Sequence, residues 1–212
     1  MALSAMKIGT KHKDLFLRIH KGHFATGRSH INYYIDVTAQ KSRLSEAKAV
    51  ARALRSHYDT STIVDSILCL DGTEVIGTCL AEELTEANFV NVNAHQTIYI
   101  VTPESTSGNQ LIFRDNLIPM IKNKHVLILA ASVVTGSTAK AAVEAINYYG
   151  GKAVGIGSIF ATTHEIDKIK VASVFDPRDL NDYACHSSSD CPLCKKGEKI
   201  DALVNSFGFS KL

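Results

Sequence analysis

The sequence contains no tryptophan, and its formal net charge is only +2 over 212 residues. So mild a balance gives no argument for nucleic acid or an anionic membrane as partner, although a local anion site stays open. No apolar run reaches the length of a membrane-crossing helix, and the opening "MALSAMKIGTKHKDLF" lacks the apolar core of a secretory leader. A cytoplasmic location, with no membrane or nucleic-acid partner, is the expectation. Internal repeats and low-complexity tracts are missing as well. A disulfide framework is disfavoured: the five cysteines are an odd number, and Cys69 and Cys79 sit inside apolar segments, as suits reduced thiols.

What is present is an ordinary globular composition, 45% hydrophobic and 21% charged, long enough to bury one sizeable core with appendages. Residues 1–45 are polar and His-rich, with "INYYIDV" carrying the aromatic and β-branched content of a strand. "SRLSEAKAVARALRSHY" puts Leu44, Ala47, Val50, Ala51 and Leu54 on one helical face. Over residues 46–180 the apolar runs "STIVDSILCL", "TIYIVT", "HVLILAA", "AVGIGSIF" and "KVASVF" read as buried strands. Between them, "EVIGTCLAEEL", a short segment around "LIFRDNLIPMI" and residues 138–149 read as helices, and "PESTSGNQ" as an exposed loop. Buried strands alternating with helices predict an α/β fold with right-handed crossovers and a mostly parallel sheet covered on both faces. Residues 181–212 form a polar tail bearing cysteines.

One turn stands out. In such sheets ligands bind beyond the carboxyl ends of the strands, where the next helix begins. Thr135, Gly136, Ser137 and Thr138 occupy that place after "HVLILAASVV". Gly136 permits a tight turn, the hydroxyls can donate, and the first turn of a helix leaves N–H groups unpaired beside a favourable dipole. A phosphate site and a simple helix cap both fit this pattern. The segment is neither a Walker loop nor a dinucleotide-binding fingerprint, because the Gly-Lys-Ser/Thr ending is missing and the later glycines fall within a strand.

"HVLILAASVVTGSTA" resembles the signature of the type I phosphoribosyltransferases: a hydrophobic strand, two acids, a short link and Thr-Gly-x-Thr. "GHFATGRSHINYYIDVTAQKS" and "DCPLCKKGEKI" are similar to the amino-terminal segment and the Cys-Pro-x-Cys-Lys-x-Gly tail of the orotate phosphoribosyltransferase branch. The likeness runs along nearly the whole chain in order. It implies a mostly parallel sheet flanked by helices with a small amino-terminal hood. It also implies transfer of phosphoribosyl from phosphoribosyl pyrophosphate (PRPP) to a nitrogenous base in pyrimidine nucleotide metabolism, with Mg²⁺ when active. By this resemblance Thr135–Thr138 hold the 5′-phosphate, Asp71, Gly72, Thr73 and Glu74 face the pyrophosphate, and Tyr33 and Tyr34 lie near the base. A homodimer is implied too, each subunit lending a mobile loop to the other.

The sequence departs from that pattern in three places. Ala130 and Ala131 stand where the family has acids, and neighbouring Ser132 carries no charge. The mobile-loop region "VTPESTSGNQLIFRD" has no Lys or His and only Arg114, expected in the following helix. "FATGR" is short and lacks the Lys that often precedes Ser-Gly-Arg. A protein that binds a nucleotide monophosphate or phosphosugar without transferring it is therefore the alternative.

Other residues keep two readings. Tyr33 and Tyr34 fit equally a strand pair with one ring in the core and one exposed. Arg28 and Lys41 can meet an anion or lie solvated. Asp71 can touch hydrated Mg²⁺ or begin a turn, with the same ambiguity at Glu74. His30 and His164 are acid/base candidates or exposed bystanders. Cys185, His186, Cys191 and Cys194 offer part of a zinc site, but without a second pair at matching spacing a structural turn is the preferred reading, and no metal is assigned.

Overall fold

The computed structural model describes residues 5–9, 15–27, 29–58, 61–86, 91–94, 96–108, 110–205 and 207–212. The chain divides into two compact units, one continuous (Gln40–Val174) and one joining Met1–Ala39 to Phe175–Leu212. Arg28 lies outside the described residues.

The continuous unit is built on a six-stranded sheet in the order Glu165–Ile166, Ile169–Phe175, Lys152–Ala161, His125–Val133, Ser66–Cys69, Tyr99–Val101. The pairs among the last four strands are parallel, as the apolar runs predict. Every residue from Val126 to Ala131 is buried, which a sheet covered on both faces requires. Helices Leu44–Arg55, Glu74–Thr85 and Ser137–Tyr148 supply the cover. Gly77 marks how close the packing is: a Cβ there would come within 2.5 Å of Cys69 Sγ, so the helix rests directly on its strand.

Two expectations need correction here. The first helix buries Ala47, Val50, Ala51, Ala53 and Leu54, but Leu44 is 57% exposed, because it starts the helix a turn ahead of its buried face. The segment "LIFRDNLIPMI" is not a helix. Leu111–Ile112 pairs antiparallel with Glu104–Ser105, and only Ile118–Met120 coils, as a 3₁₀ turn beginning at Pro119's neighbourhood. Leu111 and Phe113 are both buried, an alternation that suits extended chain rather than helix. Within "PESTSGNQ", Glu104–Ser105 is accordingly one strand of a small hairpin.

The other unit is a second six-stranded sheet. Cys185–Ser187, Ser29–Asp36, Phe16–Ala25, Ala202–Asn205 and Gly208–Lys211 follow in that order, and Ala5–Gly9 also pairs with Phe16–Ala25. Its pairings are antiparallel except for Ala202–Asn205 against Phe16–Ala25. One apolar cluster on it consists of Phe24, Ile31, Tyr34 and Ala202, with Tyr183, Cys185, Val204 and Phe209 at its margin. Among the described residues no helix is long and apolar enough to cross a membrane.

Candidate functional site

The strand His125–Val133 ends at the turn that opens helix Ser137–Tyr148. Gly136 is the N-cap, at φ 74°, a left-handed conformation that glycine adopts without a Cβ penalty. Space is tight as well, since a Cβ would stand 3.0 Å from Ile166 Cδ1 and that side chain would have to yield. Lys140 N–H donates to the Gly136 carbonyl at 2.8 Å, so the N–H groups of Ser137, Thr138 and Ala139 have no acceptor within the helix. No side chain caps this end. The Thr135 and Ser137 hydroxyls instead meet each other at 3.1 Å, and Thr135 and Thr138 are exposed. A simple cap would have placed a hydroxyl on the free N–H groups. Here donors and hydroxyls together face outward from a positive helix end, which is the arrangement that accepts an anion.

The adjacent strand Ser66–Cys69 ends in a second turn. Asp71 and Gly72 both have positive φ, 57° and 77°, so this is a tight left-handed bend. Thr73 is buried and donates to the carbonyls of Leu70 and Leu129, at 2.9 and 3.1 Å, tying the turn to the neighbouring strand. Glu74 opens the next helix and accepts from the Thr102 hydroxyl at 3.2 Å. Burial pushes the Asp71 carboxyl above its usual range, while the Lys41 ammonium and the Ala131 N–H pull it back. Lys41 also donates to the Asp71 carbonyl at 2.7 Å, so it is tied to this turn rather than solvated. Ala130 and Ala131 are 2% and 5% exposed. Asp71 therefore carries its carboxylate in a turn that Thr73 ties to the strand bearing both of these alanines.

The remaining candidates are placed as follows. Arg114 lies outside any helix and grips Glu104 with two hydrogen bonds, 2.9 and 2.6 Å, across the small hairpin. Its partner holds the Glu104 carboxyl below the usual range. Ser132 and His164 are exposed. In the other unit, Tyr33 and Tyr34 are both buried, 6% and 7% exposed, which corrects the reading of one ring in and one out. The Tyr33 hydroxyl donates to Asp182, and Lys21 joins the same carboxylate at 2.7 Å. Tyr34 packs against His20, Phe24 and Phe209.

His30 is also buried rather than exposed. With His23, Cys191 and Cys194 it forms a cluster whose ligand atoms all lie within 4.8 Å of one another. Cys185 and His186 are not part of it; they sit in a strand paired with Ile31 and His30. His23 was missed because a single histidine in a strand carries no spacing signal, and the cysteines it meets lie 168 and 171 residues away.

No family model matches the chain. It is 24% identical over 182 residues to the orotate phosphoribosyltransferase of Chlorobaculum parvum, covering 85% of this chain and 86% of that protein. Among solved structures, an orotate phosphoribosyltransferase of Mycobacterium tuberculosis H37Rv superposes with a TM-score of 0.53 at 17% identity, over 78% of this chain and 93% of that one. The adenine phosphoribosyltransferase of Leishmania tarentolae superposes with a TM-score of 0.52 at 18% identity, over 71% and 79%.

Proposed function

The chain is related to the type I phosphoribosyltransferases and has their fold, and on that premise we propose that it is a cytoplasmic phosphoribosyltransferase of the orotate type. It takes PRPP and a nitrogenous base to a nucleotide monophosphate and pyrophosphate. The observation that carries this reading is the uncapped helix start at Gly136, with free N–H groups and hydroxyls from Thr135 to Thr138. These hold the 5′-phosphate and so fix the ribose.

In the reaction a base nitrogen attacks C1′, the C1′–O bond to pyrophosphate breaks, and pyrophosphate leaves with the bonding electrons. Asp71 and Glu74 are hard oxygen donors suited to Mg²⁺, which takes one or two carboxylates and completes its shell with water and phosphate oxygens. When bound there it neutralises charge on the pyrophosphate. The Asp71–Gly72 bend presents the backbone beside this group. Positive charge that develops on the ribose meets no acid at Ala130 or Ala131. A missing preorganised group of this kind typically costs about 10²–10³ in rate. Asp71, in the turn that Thr73 ties to the strand carrying Ala130 and Ala131, is the carboxylate nearest in the fold's construction to compensate.

A second reading is favoured by the same alanines and by the pairing of Arg114 with Glu104: a protein that binds a nucleotide monophosphate or phosphosugar and transfers nothing. The two separate in one assay. The protein is mixed with PRPP, Mg²⁺ and a panel including orotate and adenine, and pyrophosphate release is followed beside titrations with ribose 5-phosphate and nucleotide monophosphates. Release with a base supports transfer, and loss of that release in Asp71→Asn assigns it to this carboxylate. Binding with no release for any base selects the second reading. No response to any phosphate overturns both. The homodimer implied by the family likeness belongs to the proposal and is tested by sedimentation.

A further inference from the structure

The sheet made from the two ends of the chain brings two imidazoles and two thiols to one point. His23 Nε2 and His30 Nδ1 are 3.0 Å apart. Cys191 Sγ lies 3.4 Å from His23 Nε2, and Cys194 Sγ lies 3.6 Å from His23 Nε2 and 3.2 Å from His30 Nδ1. With Zn–S near 2.3 Å and Zn–N near 2.0–2.1 Å, the edges of a tetrahedron are about 3.3 Å between nitrogens and about 3.5 Å between nitrogen and sulfur. The observed separations follow those edges.

The surrounding chain aims each group inward. The ladder between Phe16–Ala25 and Ser29–Asp36 shifts register between Lys21 and Phe24, and this irregularity places His23 and Phe24 both in the interior. Asp201 fixes the His23 main chain on both sides: its carboxylate accepts from His23 N–H, and its own N–H donates to the His23 carbonyl, each at 2.8 Å. His23 Nδ1 lies 3.1 Å from the Glu198 carbonyl, so the ring donates there and turns its Nε2 lone pair toward the sulfurs. A backbone carbonyl behind the ligating histidine is the usual outer support of a metal-bound imidazole. Cys191 caps the short helix Pro192–Lys195, and Gly197, at φ 75°, returns its N–H to the Cys194 carbonyl at 2.9 Å. Two cysteines three apart on so tight a turn converge as a pair.

We propose that His23, His30, Cys191 and Cys194 form a structural Zn²⁺ site that joins the amino-terminal strands to the carboxy-terminal tail. The donor set is Cys₂His₂, all four positions are filled by protein, and no place is left for substrate, which marks a structural rather than a catalytic zinc. His23, His30 and Cys191 are buried and Cys194 is exposed, so the ion sits near the surface with one thiolate accessible. The adjoining apolar cluster is small, and a metal cross-link is how such small cores are commonly completed. The site is independent of the phosphoribosyl reading and survives its failure.

The test uses the whole chain, purified without a polyhistidine tag and without chelator. Elemental analysis is expected to find one zinc per chain. After stripping, Co²⁺ titration is expected to saturate at one equivalent, with the visible bands of a tetrahedral ion and a thiolate-to-cobalt charge-transfer band. Cys194→Ser should weaken Co²⁺ binding by at least the ~10–100-fold that loss of an outer partner alone costs, while Cys185→Ser should leave it unchanged. Because a ligand variant can misfold, the wild-type spectrum stands as the primary readout. Absence of both stoichiometric zinc and the charge-transfer band would overturn the site. So would recovery of Cys191 and Cys194 as a disulfide in protein prepared under reducing conditions, or equal loss of binding in Cys185→Ser.

Discussion

The two units hold themselves together by different means. Gln40–Val174 is centred on a strand whose residues from Val126 to Ala131 are buried without interruption, and its buried polar side chains, such as Thr73 and Asn93, bond to main-chain groups of neighbouring segments. The unit formed from the two termini relies on polar cross-connections over long sequence distances: Tyr33 and Lys21 on Asp182, Asp201 on His23, and the histidine–cysteine cluster. Apolar burial is roughly proportional to area and tolerant of detail, whereas polar groups inside a protein must meet specific partners. The comparison teaches where each unit is vulnerable. One should respond to lost volume, the other to a lost partner or ion.

Ile128→Ala should test the first half of that contrast with the largest effect. Ile128 is fully buried, and truncation there is expected to cost about 2–5 kcal/mol in urea unfolding. Removing zinc with a chelator should test the second half. Amide exchange in Phe16–Ala25 and Ser29–Asp36 is expected to accelerate about 100-fold if the ion had been present at ~100 times its dissociation constant, with His125–Val133 remaining slow. Uniform acceleration in both units would erase the distinction.

Smaller changes sharpen it. Gly136→Ala should cost about 1–2 kcal/mol from the left-handed backbone alone, and more where the new methyl meets Ile166. Titration with ribose 5-phosphate should show weakened binding in the same variant. Asp65 gives the smallest effect. Burial acts to raise its carboxyl, but the His125 N–H and imidazole, at 2.7 and 3.0 Å, together with Lys124, hold it below its usual range. A carboxyl lowered in the folded state stabilises above its unfolded pKa and loses that contribution as pH falls through the folded one. Asp65→Asn should therefore cost up to about 1 kcal/mol at neutral pH, discounted for solvent exposure, and the difference should close in acid.

Much of the continuous unit was legible because its signals are local. The run "HVLILAA" is a strand that continues two residues further, to Val133, and the next helix falls within one residue of its expected bounds, 138–149 against Ser137–Tyr148. Leu44 was misplaced because helical periodicity does not say where packing begins along a helix. "LIFRDNLIPMI" suggests a helix because Phe113, Leu117 and Ile121 keep helical spacing, whereas the buried pair Leu111 and Phe113 keeps the alternation of extended chain. Of the turn Thr135–Thr138, the sequence revealed the glycine and the hydroxyls, but not that the helix end stays uncapped, which depends on side-chain rotamers. Of the histidine–cysteine cluster, Cys191, Cys194 and His30 each stand out in the sequence. Joining them to His23 required knowing that a strand 171 residues before Cys194 shifts register there.

Gly136 and Ile166 constrain each other beyond their own neighbourhoods. Ile166 belongs to a hairpin whose turn residues Asp167 and Lys168 both have positive φ. Any descendant of this sequence that elongates position 136 must accept the left-handed backbone and also shift the tip of an isoleucine in that hairpin. Glycine is thus favoured at 136 by the fold itself, even for a lineage in which the helix start serves no ligand.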